Sequence, residues 1–537
     1  MTEAVEYRVF GSPGTGKTTY LTSQIQAAAE KHGADRLIVA SFTRAAAHEV
    51  GGRIHKYNVE NVGTLHAHGY RTLGHSLKVA ETCIDSWNED NPTYRLSGGK
   101  QSDVDEVSES GQAATLGDEL FNYMTLQRAL MIPRERWRVQ AQAFAKRWDE
   151  WKRAHGIIDY TDMIEIPYHD VEAPPGNPSI GFFDEAQDET PLSMALIRKW
   201  GKTLDFFILA GDDDQCIYEW AGARPGVLLD GEPAKKIILQ QSYRVPRTVH
   251  ALAQRIITAV HTREPKIYQP RDEEGEVRYM RGVNTNIPEI IIRDMERYKG
   301  KRIMILASCS YMLQGIIKTL REAGIPFYNP YRTKNGAWNP LRAGSVDRLL
   351  AFTQQVPHKH CMIDEFEPVL DAGDFLSWYE LIKAQGNMKH GEKTANIKKL
   401  EGLDVFDVGR IFEFFSAESG FLEYFNEPDK LLPAVKWFVE NISADKAKSM
   451  AYPASIIEKC GLPALCERPK VIVGTIHSVK GGEADVVYVA PDLSYAGYIE
   501  ANQSIAGRDA IARLKYVAYT RARETLCLLD AATNYTM

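Results

Sequence analysis

Short apolar runs recur along the chain with polar, helix-compatible stretches between them, and this alternation predicts strands and helices in turn. The runs fall at residues 5–10, 36–41, 180–183, 206–210, 236–239, 302–307, 471–474, 485–490 and 526–529. Those at 471–474 and 485–490 are β-branched and almost continuously apolar, the pattern of strands covered on both faces of a parallel sheet. Residues 18–32 contain neither Gly nor Pro and predict a helix soon after the first run. Residues 374–385 and 434–449 predict further helices inside a stretch, 331–465, that Pro and Gly otherwise interrupt. Trp137, Phe144, Trp148 and Trp151 fall near helical spacing.

The first run leads into Gly11-Ser12-Pro13-Gly14-Thr15-Gly16-Lys17-Thr18, which fits G-x-x-x-x-G-K-[ST]. Strand, Gly-rich loop and helix together form a phosphate cradle: the glycines let backbone N–H groups turn inward, and the helix N-terminus adds partial positive charge. Lys17 is expected to reach the β- and γ-phosphates of a nucleoside triphosphate, and Thr18 to offer its hydroxyl to Mg²⁺. The run at 180–183 ends in Asp184-Glu185-Ala186-Gln187-Asp188. Here the first carboxylate, Asp184, suits Mg²⁺, and the second, Glu185, suits proton abstraction from an attacking water. The run at 206–210 opens into Gly211, three successive acids (Asp212, Asp213, Asp214) and Gln215. Three acids beside an anionic ligand would repel it, so most are expected to face Mg²⁺, water or hydrogen-bond donors.

At 537 residues the chain predicts about three or four domains. It has no apolar run of about eighteen residues, so no transmembrane helix is expected, and no signal-peptide pattern. Seven scattered cysteines predict reduced thiols in a cytoplasm-like compartment. The net charge of −7 gives no global attraction to nucleic acid, so a binding surface has to be local. Residues 101–127 carry six acids (Asp103, Asp105, Glu106, Glu109, Asp118, Glu119) and no Lys or Arg, and predict in part a mobile loop. Residues 128–156 reverse the sign, with eight Lys or Arg against three acids. This stretch reads as an amphipathic helix with a solvated basic face or, alternatively, as a phosphate-contacting surface.

The order of these blocks resembles the superfamily 1 DNA helicases of the UvrD/Rep/PcrA type. Phe42-Thr43-Arg44-Ala45-Ala46 resembles motif Ia, and Gly63-Thr64-Leu65-His66 motif Ib. Ile158-Asp159-Tyr160-Thr161-Asp162 resembles the segment before the Mg²⁺ motif, Asp184–Asp188 motif II, Gly211–Trp220 motif III and Gln241-Ser242-Tyr243-Arg244 motif IV. Thr475–Glu483 resembles motif V and Tyr516–Ala522 motif VI, so the likeness runs nearly end to end.

The resemblance implies an α/β fold with two RecA-like parallel-sheet motor domains of the P-loop NTPase class, each carrying a mainly helical insertion. The expected division is 1–73 with 156–243 for the first motor domain and 74–155 for its insertion. The second motor domain is expected at 244–330 with 466–537, and its insertion at 331–465. The implied cofactors are ATP and Mg²⁺, with Gly11 to Lys17, Thr18 and Thr19 on the nucleotide, Tyr243 stacking on the base and Glu483 touching the ribose. Gln215 matches a γ-phosphate sensor, and Arg244 and Arg521 match arginine fingers, a role that suits a permanently charged forked donor. Phe42, Thr43, Arg44, His66, Tyr218, Trp220, Thr475, His477 and Lys480 are the implied contacts to single-stranded DNA, the aromatics stacking on bases. The implied partners are single strands and single-strand/duplex junctions, travelled 3′→5′ by a monomer or weakly self-associating protein in the cytoplasm.

Several positions depart from the family pattern. Residues 1–10 lack the Gln that reads adenine, Thr19 replaces a frequent Arg, Ala221 follows Trp220, and Gly482 replaces a Leu. A duplex-splitting hairpin is not evident, and little sequence follows the last strand. The readings that stand are an ATP-driven helicase, a translocase that strips proteins from single strands, an NTP-binding switch indifferent to DNA, and a non-catalytic binding module.

Overall fold

The computed structural model describes residues 5–42, 44–74, 76–97, 115–280, 287–331, 339–342, 344–355, 369–424 and 430–537. Four of the six acids expected in a loop, Asp103, Asp105, Glu106 and Glu109, lie outside the described residues. The strands are β1 Val5–Gly11, β2 Leu37–Ser41, β3 Val62–Thr64, β4 Lys78–Val79, β5 Ile157–Ile158, β6 Ile180–Asp184, β7 Phe206–Gly211 and β8 Lys235–Leu239. They continue as β9 Glu276–Met280, β10 Ile303–Ala307, β11 Phe327–Tyr328, β12 Val369–Asp371, β13 Val405–Asp407, β14 Val471–Thr475, β15 Ala484–Val489 and β16 Ala522–Leu529. Two six-stranded sheets result, in the orders β3-β2-β6-β7-β1-β8 and β11-β14-β10-β15-β16-β9. The fold is α/β with parallel sheets, as expected.

All pairings in the first sheet are parallel. Neighbouring side chains along its strands point to opposite faces. Phe10, Ala40 and Phe183 join one apolar cluster with Trp200 and Leu209, while Val9, Val39 and Phe182 join the other with Leu21 and Ile25. Both faces are therefore covered, which is why β2 and β6 are almost wholly apolar; β1 carries Glu6 and Arg8, an ion pair, among its apolar residues. The register sets Ser41 beside Asp184 and Phe10 beside Gly211, so the loops after β1, β6 and β7 leave from one sheet edge.

The chain divides into two compact units. One holds Met1–Asn284, Met304–Met312 and Gly474–Met537, and so contains every block from the phosphate loop to Arg521. Within it, the segment around the helix Val139–His155 is built on Trp87, Phe144, Trp148 and Trp151, all buried. The tryptophan spacing therefore reports a core. Arg128 and Lys152 do not belong to a solvated or phosphate-facing surface: both are buried, held by Asp159 and Asp162, with Arg128 also on Glu165. A cation placed in an apolar core needs anionic partners there, and Asp159 and Asp162 provide them.

The other unit, Thr285–Ile303 with Leu313–Val473, is mainly helical around an aromatic core of Phe352, Trp378, Phe415, Phe421, Trp437 and Phe438. Two expected helices are corrected here. The first is Ala372–Tyr379, shorter than 374–385. The second is two helices, Leu431–Asn441 and Ala444–Cys460, because Ile442 is extended (φ −103°, ψ 166°) and buried. No helix among the described residues is long and apolar enough to cross a membrane. Cys83, Cys216, Cys309, Cys460, Cys466 and Cys527 are free thiols.

Candidate nucleotide site and nucleic-acid face

The Gly-rich loop connects β1 to the helix Lys17–His32. Gly14 and Gly16 take left-handed φ values of 76° and 77°, which let the chain curl and direct the helix start at the loop's concave side. Thr15 closes the turn on the Ser12 carbonyl through its N–H (3.1 Å) and its hydroxyl (2.8 Å). The Ser12 hydroxyl is buried without a hydrogen-bond partner among the described residues. Residues of the later block brace the loop from outside: the Ser242 hydroxyl donates to the Pro13 carbonyl (2.7 Å) and the Tyr243 N–H to the Gly14 carbonyl (2.8 Å). Arg244 lies so close that a Cβ on Gly14 would come within 2.4 Å of its own Cβ. Tyr243 is 70% exposed.

Lys17 Nζ stands 3.1 Å from Asp184 and 2.7 Å from Glu185. Burial opposes its charge, but the two carboxylates outweigh burial and raise its pKa. Burial alone would push Glu185 up; the Lys17 and Lys480 charges bring it down to about 2. Asp184 is raised, by burial first and by the Glu185 charge beside it. Glu185 has a left-handed φ of 57°, rare for a residue with a side chain.

A chain of side-chain bonds runs from Glu185 across the sheet edge. Gln187 Nε2 donates to Glu185 (2.6 Å), and Gln187 Oε1 accepts from the Asp212 N–H (2.9 Å). Gln215 Nε2 donates to Asp212 Oδ2 (2.7 Å), and Gln215 Oε1 accepts from Arg521 Nη2 (2.9 Å). Arg521 is fully buried; it also donates to the carbonyls of Val517 and Gly482. Burial and the nearby Arg244 charge lower its pKa to about 9. Arg244 Nε donates to Glu483 (2.6 Å), whose other oxygen takes Arg523. Thr18 and Thr19 occupy the first turn of the helix, Arg53 reaching the Thr19 hydroxyl at 3.4 Å.

The three acids after Gly211 face neither water nor the loop. Asp212, Asp213 and Asp214 are fully buried around Lys266, and Arg263 forks onto Asp214. Arg513 donates to the Asp213 carbonyl and pairs with Glu219. The pattern of acids required compensating cations, but no spacing in the sequence pointed to Lys266, Arg263 or Arg513.

Of the residues expected on single-stranded DNA, a subset is brought together. Phe42 stacks on Tyr218 (5.6 Å, 30°), and His477 meets both Tyr218 (5.9 Å) and Trp220 (6.2 Å). Lys480 lies 5.0 Å over the Tyr218 ring and pairs with Asp188. His477 Nε2 is bound at the Ile217 carbonyl, and burial lowers its pKa to about 4. Thr475 is buried, its hydroxyl accepting from the Ser478 N–H. His66 is exposed in the first turn of the helix Leu65–Thr72, which Thr64 caps. Thr43 and the Arg44 side chain lie outside the described part.

Residues 3–236 match the family model of the UvrD/REP helicase N-terminal domain. The chain is 22% identical to the ATP-dependent DNA helicase Rep of Buchnera aphidicola, over 96% of its own length and 91% of that protein. The chain resembles helicases of the UvrD/Rep type. Other relatives agree: it is 23% identical to the putative ATP-dependent DNA helicase YjcD of Bacillus subtilis, over 97% of this chain and 76% of that one. It is 22% identical to the helicase PcrA of Staphylococcus epidermidis, over 65% of this chain and 55% of that one. The matched segment supplies Lys17, Asp184, Glu185 and Gln215, while Arg244, Glu483 and Arg521 come from beyond it.

Proposed function

We propose that the chain is an ATP-dependent DNA helicase that moves 3′→5′ along single-stranded DNA and opens duplex. The observation that carries this reading is the contact of Arg521 with Gln215, at the end of the bonded chain that begins at Glu185. It joins a nucleotide-binding loop to a cation from the opposite end of the sequence. The relatives are named DNA helicases, and that supports the nucleic-acid half of the reading.

The loop N–H groups and Lys17 would take the phosphates, with Lys17 exchanging its carboxylate partners for phosphate oxygens. The donors fit Mg²⁺: Thr18 and Asp184 offer oxygen ligands, and among the described residues no group of three or more His, Cys, Asp or Glu could hold a metal alone. Few protein ligands, completed by phosphate and water, is the arrangement Mg²⁺ favours. Bound there, the ion would neutralise phosphate charge. Glu185, ionised and held by Gln187, would accept the proton of the attacking water. Gln215 would sense the γ-phosphate, and Arg244 and Arg521 would stabilise charge developing on it. Tyr243 offers its exposed ring to the base. Glu483 keeps Arg244 in place, and a ribose hydroxyl would share its carboxylate.

Phe42, Tyr218, Trp220, His477 and Lys480 would form the strand-binding face, with Thr43, Arg44, His66 and Thr475 beside it. The path from this face to the base is short, since Lys480 pairs with Asp188 and Asp188 bonds to Gln187. The proposal includes two motor domains, 1–73 with 156–243 and 244–330 with 466–537, and insertions at 74–155 and 331–465. The test is ATP turnover with and without single-stranded DNA, together with release of a labelled strand from duplexes bearing 3′ or 5′ tails. Stimulated turnover and release from the 3′-tailed substrate are expected. Stimulated turnover without release removes the unwinding step, and turnover indifferent to DNA removes the motor.

A further inference from the structure

Lys266 lies outside every sequence block that resembles a motif. Its side chain is 1% exposed, with Nζ 3.1 Å from both Asp212 Oδ1 and Asp214 Oδ2, and it also pairs with Asp213. Arg263 completes the set, donating to Asp214 at 2.9 Å and 2.6 Å. Three adjacent buried carboxylates cannot all stay ionised without such partners. Burial works against the Lys266 charge, but the three carboxylates outweigh it.

One of these carboxylates does more than balance charge. Asp212 binds Lys266 through Oδ1 and accepts from Gln215 Nε2 through Oδ2 (2.7 Å), while Gln215 Oε1 accepts from Arg521 (2.9 Å). An amide has a donor end and an acceptor end, and these two bonds fix which way round Gln215 lies. Reversed, its NH₂ would face the Arg521 guanidinium, donor against donor. The orientation therefore depends on the Asp212 carboxylate staying in place, and its Oδ1 is held there by Lys266 (3.1 Å) and, at longer range, by the Asp214 N–H (3.3 Å). The backbone adds a second hold, because the Asp212 N–H donates to Gln187 (2.9 Å), which binds Glu185.

We propose that Lys266, braced by Arg263, is a positioning residue for hydrolysis: it anchors Asp212, and Asp212 sets the orientation of the Gln215 amide toward Arg521 and the phosphate loop. This rests on reading the Lys17–Glu185 pocket as the hydrolytic site. Lys266 does not touch the nucleotide; it acts through two intervening side chains.

The experiment is a double-mutant cycle on the full chain. ATP turnover is measured with Mg²⁺ and single-stranded DNA for the wild type, Lys266→Met, Gln215→Ala and the double variant. Melting midpoints and affinity for a fluorescent non-hydrolysable ATP analogue are measured alongside. Lys266→Met is expected to lower kcat by about tenfold or more while analogue affinity stays within about twofold. In the Gln215→Ala background the same substitution is expected to cost little further, because its route is already cut. Losses that multiply, or an unchanged kcat in Lys266→Met, overturn the proposal. Lys266→Met/Asp213→Asn removes one buried carboxylate along with the cation and serves where the single variant does not fold. A recovered midpoint with kcat still low supports positioning; kcat recovering with the midpoint reduces Lys266 to charge balance and overturns it. A wild-type chain without turnover removes the hydrolytic reading itself and the proposal with it, whereas failure of the proposal alone leaves wild-type turnover intact.

Discussion

Glu185 was identified in the sequence from an apolar run ending in two acids, because a strand end beside a phosphate loop is where those acids have work to do. The structure adds its charge state. The Lys17 and Lys480 charges hold its pKa well below the neutral range, so Glu185 is a carboxylate before nucleotide binds. Glu185→Gln keeps the shape and removes the basicity, so turnover is expected to fall by roughly 10²–10⁴-fold with nucleotide affinity retained; quenched-flow turnover and equilibrium binding check both halves. His68, two residues beyond His66, has its role in the fold. It is fully buried, its Nε2 at the Val39 carbonyl (3.0 Å), and burial holds its pKa at about 4 against 6.5 when free. Below pH 6.5 the unfolded chain binds a proton that the folded chain refuses, so stability falls with pH until about pH 4, by about 3 kcal/mol. Denaturant unfolding at several pH values should show a shallower dependence in His68→Gln than in the wild type. Lys266, Arg263, Arg128 and Lys152 were illegible for a shared reason: each is buried by partners that the fold, not the local sequence, brings near.

Elements were legible where burial is two-sided. β2, β6, β7, β10 and β14 are almost continuously apolar because their residues are buried on both sides, and a run of that kind reads the same in one dimension as in three; β1 interrupts the pattern with Glu6 and Arg8, which pair with each other. Helices that bury one stripe were less legible, as the break at Ile442 shows. Close helix contacts were invisible, since they depend on a missing side chain. The helix Leu65–Thr72, which carries His66, packs at Gly69 against the helix Asp162–Asp170: a Cβ there would stand 1.8 Å from the Met163 carbonyl. No rotamer relieves a clash with backbone, so Gly69→Ala has to push the two helices apart. The expected cost is about 2–4 kcal/mol, at or above the usual range for overpacking. Chemical denaturation measures it. Gly52→Ala, where a Cβ would meet nothing within 4 Å, is the matching control and should not show this loss.

Across the whole molecule, the site draws on residues from Gly11 to Arg521, and nucleotide binding is expected to tie these distant segments together. An ATP analogue with Mg²⁺ should therefore raise the melting midpoint, by an amount equivalent to about 2.7 kcal/mol at a hundredfold excess over Kd. Arg521 separates binding from chemistry. Its guanidinium serves four acceptors at once, the Val517 and Gly482 carbonyls, the Gln215 amide and the Thr520 hydroxyl, and a lysine ammonium at the end of a flexible stem cannot hold that fork. If Arg521 acts on charge that develops only as the γ-phosphate departs, Arg521→Lys should leave most of the analogue's thermal shift while lowering turnover by about 10³-fold or more. The two readouts have to part company. A variant that loses both in proportion assigns Arg521 to ground-state binding or to packing, and a variant with normal turnover takes it out of the hydrolytic step. Strand release from a 3′-tailed duplex should follow turnover rather than the thermal shift, because movement along DNA depends on nucleotide consumed and not on nucleotide bound.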